Sequence, residues 1–233
     1  GIGNSAVDIA VELSRHAKQV YLSTRSGAYV FSRYSLYGSP ADHLANNRMM
    51  NALPFSAKQS LFTFFNKMQT GDLERYNLQP RTYDENGKET GEPFGILQAH
   101  PTINGELLGR ISTGSIIVKG NIDSIQETSV KFEDGSVEDL DCIIYATGYQ
   151  IAFPFFDEEK GMDKAKDLTR ISENQLKLYK YMYHTEYGKT LGFIGFFQPI
   201  GAIMPISEMQ ARWFTSLIST GKQLPSKAEM QKV

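Results

Sequence analysis

The stretch Gly1-Ile2-Gly3-Asn4-Ser5-Ala6-Val7-Asp8 limits what this chain can fold into more than any other. It reads G-x-G-x-x-A and runs into a helical pattern. Ala6, Ile9, Ala10, Leu13 and Ala17 recur on one face, with Glu12, Arg15 and His16 facing out. In a dinucleotide-binding turn the first glycine makes the tight bend and the second lets the backbone approach a pyrophosphate. The third position packs helix on strand, and Ala is a permitted variant there. Asn4 and Ser5 are N-cap residue types, and the N–H groups of Ser5, Ala6 and Val7 are expected to be free for an anion. A short strand is expected over Gln19 to Arg25, ending in Ser23-Thr24-Arg25. An NAD site places Asp or Glu at such a strand end to bind the ribose 2′-hydroxyl. Here the position holds Arg25, whose planar fork of donors suits a phosphate. The reading is NADP rather than NAD, against the alternative of a solvated surface arginine. A phosphate turn follows a strand, yet Gly1 is the first residue and no Met starts the chain, so it reads as a piece cut from a longer protein.

Composition narrows the function classes. With 233 residues, 41% hydrophobic and 21% charged, the chain has a globular composition and room for one or two domains. A net charge of −2 leaves no basic footprint for nucleic acid or acidic membranes. No apolar run reaches the roughly 18 residues of a spanning helix. The densest, Cys142 to Phe156, is broken by Thr147, Gly148, Gln150 and Pro154. Cys142 is the only cysteine, which removes intrachain disulfides, thiolate clusters and C-x-x-C redox pairs. Its strand-like surroundings predict a buried, inert thiol. His16, His43, His100 and His184 have no ligand spacing, so no metal site is expected.

Helical segments are expected over about 30–80, among them Ala57 to Met68, whose stripe of Leu61, Phe64, Phe65 and Met68 reads as core packing. Residues 81–93 are polar and turn-rich, with Asn86-Gly87 a tight turn and no chemistry in view. Strands are predicted over Ser115–Lys119, Ile122–Gln126 and Ser129–Phe132, with Glu133-Asp134-Gly135-Ser136 a hairpin turn before Val137. Cys142–Ala146 reads as a buried strand ending in Thr147-Gly148-Tyr149, the place where a doubly wound sheet receives a nucleotide. Tyr179, Tyr181 and Tyr183 alternate like a strand face, and Leu191–Phe196 reads as another buried strand. The loop Gln198-Pro199-Ile200-Gly201 then leads through Pro205 into a helix with Ile206, Met209, Gln210 and Trp213 on one face. That loop is either a second positive helix end aimed at a ligand or a plain strand-to-helix connection.

Three of these stretches together resemble the flavin-containing monooxygenases of eukaryotes, the dimethylaniline-monooxygenase-like enzymes. Gly1 to Asp8 is similar to that family's NADPH glycine motif. Asp141 to Tyr149 is similar to its Ala-Thr-Gly-Tyr segment, where the chain returns to the flavin domain. Gln198 to Pro205, continuing through Glu208, Gln210, Ala211, Arg212 and Trp213, looks like its stretch near the flavin. The resemblance runs along nearly the whole chain in family order. The family's first glycine motif for FAD, its Phe-x-Gly-x-x-x-His signature and the C-terminal hydrophobic anchor of many animal members are not found in it.

The resemblance implies an α/β, Rossmann-like flavoprotein with two dinucleotide-binding domains, incomplete at the N-terminus. Residues 1–140 would be the NADP-binding domain, lacking its first strand and carrying the helical insertion; 141–233 would be the return segment of the FAD-binding domain. FAD and NADP are the implied cofactors. Their implied contacts are Gly1, Gly3, Asn4, Ser5, Ala6, Val7, Asp8, Ser23, Thr24 and Arg25, then Thr147, Gly148, Tyr149, Gln198, Pro199 and Gly201. Asn4 is the candidate beside the nicotinamide ribose. The implied chemistry is reduction of FAD by NADPH, capture of O2 as a flavin C4a-hydroperoxide, and oxygen transfer to a nucleophilic nitrogen or sulfur of a small molecule. The implied location is the endoplasmic reticulum membrane, or the cytoplasm if no anchor follows. A Baeyer–Villiger oxygenase and a non-catalytic NADP-binding module are the alternatives. As a piece, the isolated chain is expected to retain little FAD and to show no turnover.

Overall fold

The computed structural model of the chain describes residues 1–35, 38–84, 88–91, 93–153, 155, 171–172, 174–188, 190–199 and 201–232. The predicted Asn86-Gly87 turn lies outside the described residues, as do Pro154, Phe156 and Ile200. The chain divides into two units, residues 1–148 and 149–233.

In the first unit, helix α1 (Asn4–Leu13) packs beside strand β1 (Val20–Ser23), which pairs in parallel with β4 (Ile116–Lys119). Between them run β2 (Val30–Phe31), α2 (Ala41–Ala45), α3 (Arg48–Ala52), α4 (Phe55–Thr70), a 3-10 turn at Leu73–Tyr76, β3 (Thr102–Ile103) and α5 (Leu107–Ser112). β2 and β3 pair in parallel. Alternation puts Val20, Leu22, Ile116 and Val118 on one face. There they join Val7, Ala10, Val11, Val30, Leu73, Leu78 and Leu107 in the core. Full burial of each Val or Leu contributes about 1.5–3 kcal/mol.

The inward face of α1 is Ala6, Val7, Ala10 and Val11. Ile9 and Leu13, expected inside, are exposed, and Ala17 lies beyond the helix end. Ser14 closes the helix by donating to Ala10 O, so the expected stripe outran the helix by a turn.

The helical insertion forms, but α4 turns the other way from expectation. It buries Asn66 and Thr70, while Phe64 is 59% and Met68 68% exposed. Asn66 Nδ2 donates to Val30 O at 2.7 Å and Thr70 Oγ1 to Asn66 O at 2.8 Å. A buried amide joined to a strand carbonyl orients this helix, and Phe64, Phe65 and Met68 of its apolar stripe face out while Leu61 is half-buried.

An antiparallel sheet of β5 (Ile122–Ile125), β6 (Ser129–Phe132) and β7 (Val137–Asp139) meets Tyr21 and Lys119 on the second face of the β1–β4 pair, where Ile117 stays exposed. The hairpin turn is where the sequence put it, with Gly135 at φ +81. Lys119 fastens the two layers, its side chain only 12% exposed. Its ammonium lies 5.4 Å from the Phe132 ring centroid and 5.9 Å from that of Tyr21. It also pairs with Glu138 at 2.9 Å and donates to Ser136 Oγ at 2.8 Å. The Tyr21 hydroxyl donates to Glu138 at 2.7 Å. The Lys119 ammonium, and then the Tyr21 hydroxyl, hold the Glu138 carboxyl below the usual range; the same bond raises the Tyr21 phenol.

Cys142–Ala146 is not a strand. It pairs with no strand among the described residues and leaves Cys142 and Tyr145 exposed, the latter at 74%. An apolar, β-branched run becomes a strand only with a partner edge for its backbone groups.

The second unit pairs β8 (Ile171–Ser172) with β9 (Gln175–Leu176) and carries helices α6 (Met204–Thr220) and α7 (Lys227–Met230). Its core is built on Tyr183, edge-on to Trp213 at 4.9 Å and stacked near Phe214 at 6.2 Å. The three alternating tyrosines form a turn rather than a strand. Lys180 and Tyr181 take φ +51 and +57, so Tyr183 turns in and Tyr181 out. Leu191–Phe196 also differs from expectation: only Gly192 bridges, to Tyr183. Gly195, at φ +73, sends its N–H to Gln210 Oε1 at 2.8 Å instead of to a ladder. Pro205 does open α6, and Gln210 is buried, but Met209 points outward.

The Lys119–Glu138 cluster makes stability depend on pH. Glu138 binds its proton at lower pH in the folded state, so its contribution is complete above the ordinary glutamate range of about 4.3 and fades as the pH falls through the lowered value. Urea unfolding at a series of pH values is expected to show this acid slope in the wild type and a shallower one in Glu138→Gln.

Candidate coenzyme site

The N-terminus of α1 is the centre of the site. Its N-cap is Gly3, in extended conformation with no side-chain cap, and Asn4 and Ser5 are the first two helical residues rather than caps. Val7 N–H donates to Gly3 O at 3.1 Å, so it is not one of the free donors. The first intrahelical bond starts at the fourth helical residue, which leaves the N–H groups of Asn4, Ser5 and Ala6 without protein partners among the described residues. No acidic residue sits in the first turn to neutralise this positive end.

The two glycines of the turn are needed for different reasons. A Cβ on Gly1 would stand 2.1 Å from Ala146 O, so backbone packs directly on backbone there. A Cβ on Gly3 would meet nothing within 4 Å, so its space is open for a ligand. Ala146 leads into Thr147 and Gly148, the latter at φ +96, and this brings that predicted segment to the glycine turn. Tyr149, Gln198, Pro199 and Gly201 belong to the second unit, where Tyr149, Gln198 and Gly201 are exposed and Pro199 is half-buried.

Strand β3 laces the turn, through residues the sequence reading passed over. Thr102 Oγ1 donates to Ile2 O and Ile103 N–H to Asn4 Oδ1, both at 2.7 Å. Because an N–H needs an acceptor, this fixes the Asn4 amide with its nitrogen turned to the free side. Asn104 Nδ2 donates to Asp8 Oδ1 at 2.9 Å, and Arg33 reaches both Asp8 oxygens at 3.3 Å, so Asp8 is held within the fold. The signal for this strand was Asn104 before Glu106 and Leu107: its Oδ1 accepts both of their N–H groups at 2.8 Å, opening α5.

At the end of β1, the Gly1 nitrogen donates to Ser23 O at 2.8 Å, which sets the strand end beside the turn. Ser23 Oγ donates to Gly120 O, and buried Thr24 accepts from Gly27 N–H, so both shape the bend. Arg25 is exposed, with its guanidinium 5.5 Å from the centroid of the Tyr83 ring. Together these groups present helix-end N–H donors, an open glycine and the Arg25 cation, an arrangement suited to a phosphorylated ligand. Among the described residues no group of His, Cys, Asp and Glu is placed to hold a metal ion.

Comparison with known proteins bears on what that ligand is. The family model described as flavin-binding monooxygenase-like matches residues 1–233. The chain belongs to this family. It is 41% identical over 235 residues to flavin-containing monooxygenase 5 of Mus musculus and of Homo sapiens. It is 40% identical over 241 residues to dimethylaniline monooxygenase [N-oxide-forming] 2 of Oryctolagus cuniculus. In each case the match covers 99% of this chain and 40% of the relative's length. Its mixed helices and strands fit the α/β flavoprotein fold of this family, whose cofactors are FAD and NADP.

The two glycines should separate on mutation. Gly1→Ala is expected to cost about 1–3 kcal/mol of stability, since backbone must shift to admit the methyl group. Gly3→Ala is expected to stay within about 0.5 kcal/mol of wild type while weakening NADPH binding. Urea unfolding and coenzyme titration of the intact protein measure the two effects. Unchanged NADPH affinity in Gly3→Ala would remove this turn from the site.

Proposed function

We propose that the chain supplies the NADPH-binding domain and part of the flavin domain of a monooxygenase that oxygenates nucleophilic nitrogen or sulfur in small molecules, using O2. The observation that carries the reading is the uncapped, acid-free end of α1 opening onto the free space at Gly3, with Arg25 at the end of the adjoining strand. These residues fit a dinucleotide: an anion would meet three unpartnered N–H groups, and the nearby cation would meet a second phosphate.

When bound, NADPH and FAD supply hydride transfer and the activation of O2. The protein's share is binding and orientation. Asn4, Ser5 and Ala6 N–H groups, with the approach allowed at Gly3, would hold the pyrophosphate. Asn4 Oδ1 is taken by Ile103 N–H, so its Nδ2 would be the group offered to the nicotinamide ribose. Ser23 and Thr24 shape the bend that presents Arg25 to the 2′-phosphate, while Ala6 packs the helix and Val7 and Asp8 hold it to its neighbours. Thr147, Gly148 and Tyr149 carry the chain toward the flavin side, to which Gln198, Pro199 and Gly201 belong. In this reading residues 1–140 are the NADP-binding domain and 141–233 the return to the flavin domain, in a fold with two dinucleotide sites. Family membership supports a location at the endoplasmic reticulum membrane; among the described residues no helix is long and apolar enough to cross one.

Coenzyme choice tests this. A hydrogen bond to a charged group contributes about 1.5–3 kcal/mol, so Arg25→Ala in the intact protein is expected to weaken NADPH binding about 10- to 150-fold. NADH, which lacks the phosphate, should bind almost unchanged. Titration of both coenzymes against wild type and variant decides; equal losses for the two, or none for NADPH, would make Arg25 a surface residue only.

A further inference from the structure

The loop that carries Arg25 is held by a segment in which no chemistry was expected. Returning from the helical insertion, residues 78–83 run along residues 25–28, with Ala28 N–H donating to Leu78 O at 3.1 Å and Arg81 N–H to Ser26 O at 2.9 Å. Gly27, at φ +61, is pressed so close that a Cβ there would lie 2.3 Å from Gln79 O. Beyond them, Tyr83 contacts Arg25 directly. Its hydroxyl donates to Arg25 O at 2.9 Å, and its ring lies under the Arg25 guanidinium. Tyr83 is itself tied down by a bridge to Glu89.

One side chain thus grips both the backbone and the charged end of Arg25. A free surface arginine spreads over many rotamers, and a cation held over an aromatic face gives up that freedom before a ligand arrives. The guanidinium carbon lies over the ring, and the one hydrogen bond between the two residues goes to the Arg25 backbone, so Tyr83 does not use up the guanidinium N–H donors. Among the described residues no carboxylate pairs with Arg25 to compete for them.

We propose that Tyr83 is a positioning residue for coenzyme selection, holding the Arg25 fork where the 2′-phosphate of NADPH binds. This rests on the reading of Arg25 above. The experiment titrates NADPH and NADH against the intact protein carrying Tyr83→Leu, Tyr83→Phe, Arg25→Ala and the Arg25→Ala/Tyr83→Leu pair, with Tm recorded for each. Tyr83→Leu is expected to weaken NADPH about two- to fivefold, the factor that a surface cation–π contact corresponds to, and to leave NADH unchanged. On the Arg25→Ala background it is expected to add nothing. Tyr83→Phe keeps the ring and should lose less, again for NADPH only; it carries the test if Tyr83→Leu has a lowered Tm. Equal effects of Arg25→Ala on both coenzymes would overturn the reading of Arg25 and this proposal with it. If Arg25→Ala is selective, the positioning role alone falls when the Tyr83 variants weaken both coenzymes alike. It also falls when Tyr83→Leu keeps its full factor without Arg25.

Discussion

The coenzyme end of the first unit depends on the approach of two backbones, Gly1 against the carbonyl of Ala146. No side chain fits in that gap, so the position requires glycine for packing before any ligand is considered. Once the gap is closed, the Gly1 nitrogen reaches Ser23 O, the end of β1 lies beside the turn, and the cation two residues on comes with it. Thr102 and Ile103 brace the same turn through Ile2 and Asn4. The helix end can remain uncapped because the turn is secured by its neighbours rather than by a capping side chain.

A second constraint lies on the opposite face of the β1–β4 pair. A two-stranded parallel sheet buries one face against α1 and would leave Tyr21 and Lys119 in water. The antiparallel sheet packs on them, and the largely shielded ammonium then needs anionic and aromatic partners, which Glu138, Phe132 and Tyr21 provide. Removing one partner of such a cluster leaves a charge uncompensated in a poorly solvated place. The cluster therefore matters more for keeping the two layers in register than for the net strength of any one ion pair.

Where the sequence reading and the structure part, the cause is a competitor that periodicity does not register. In α4 the stripe of Leu61, Phe64, Phe65 and Met68 lost the inward position to Asn66, because a carbonyl of β2 had to be met. In Tyr179–Tyr183 the alternation suited a strand, but left-handed conformations at Lys180 and Tyr181 reversed the chain. In Cys142–Ala146 the strand propensity found no partner strand among the described residues. The hairpin at Gly135 and the helix start at Pro205 agreed with expectation, since each is set by the steric limits of one or two residues.

The sequence by itself determined the features that local backbone sterics dictate. These are a glycine turn entering α1, a base at the end of β1, the strands of residues 116–132 and the proline-led start of α6. The tertiary structure decided which helix faces turn inward, that Asp8 is engaged by Asn104 and Arg33, and that Tyr83 holds Arg25. The physical reason is range. A turn or cap is fixed by contacts within a few residues, whereas Tyr83 meets Arg25 across 58 positions and Asn104 meets Asp8 across 96. Those meetings arise only after the intervening loops close, and the residue types at their two ends carry no mark of each other.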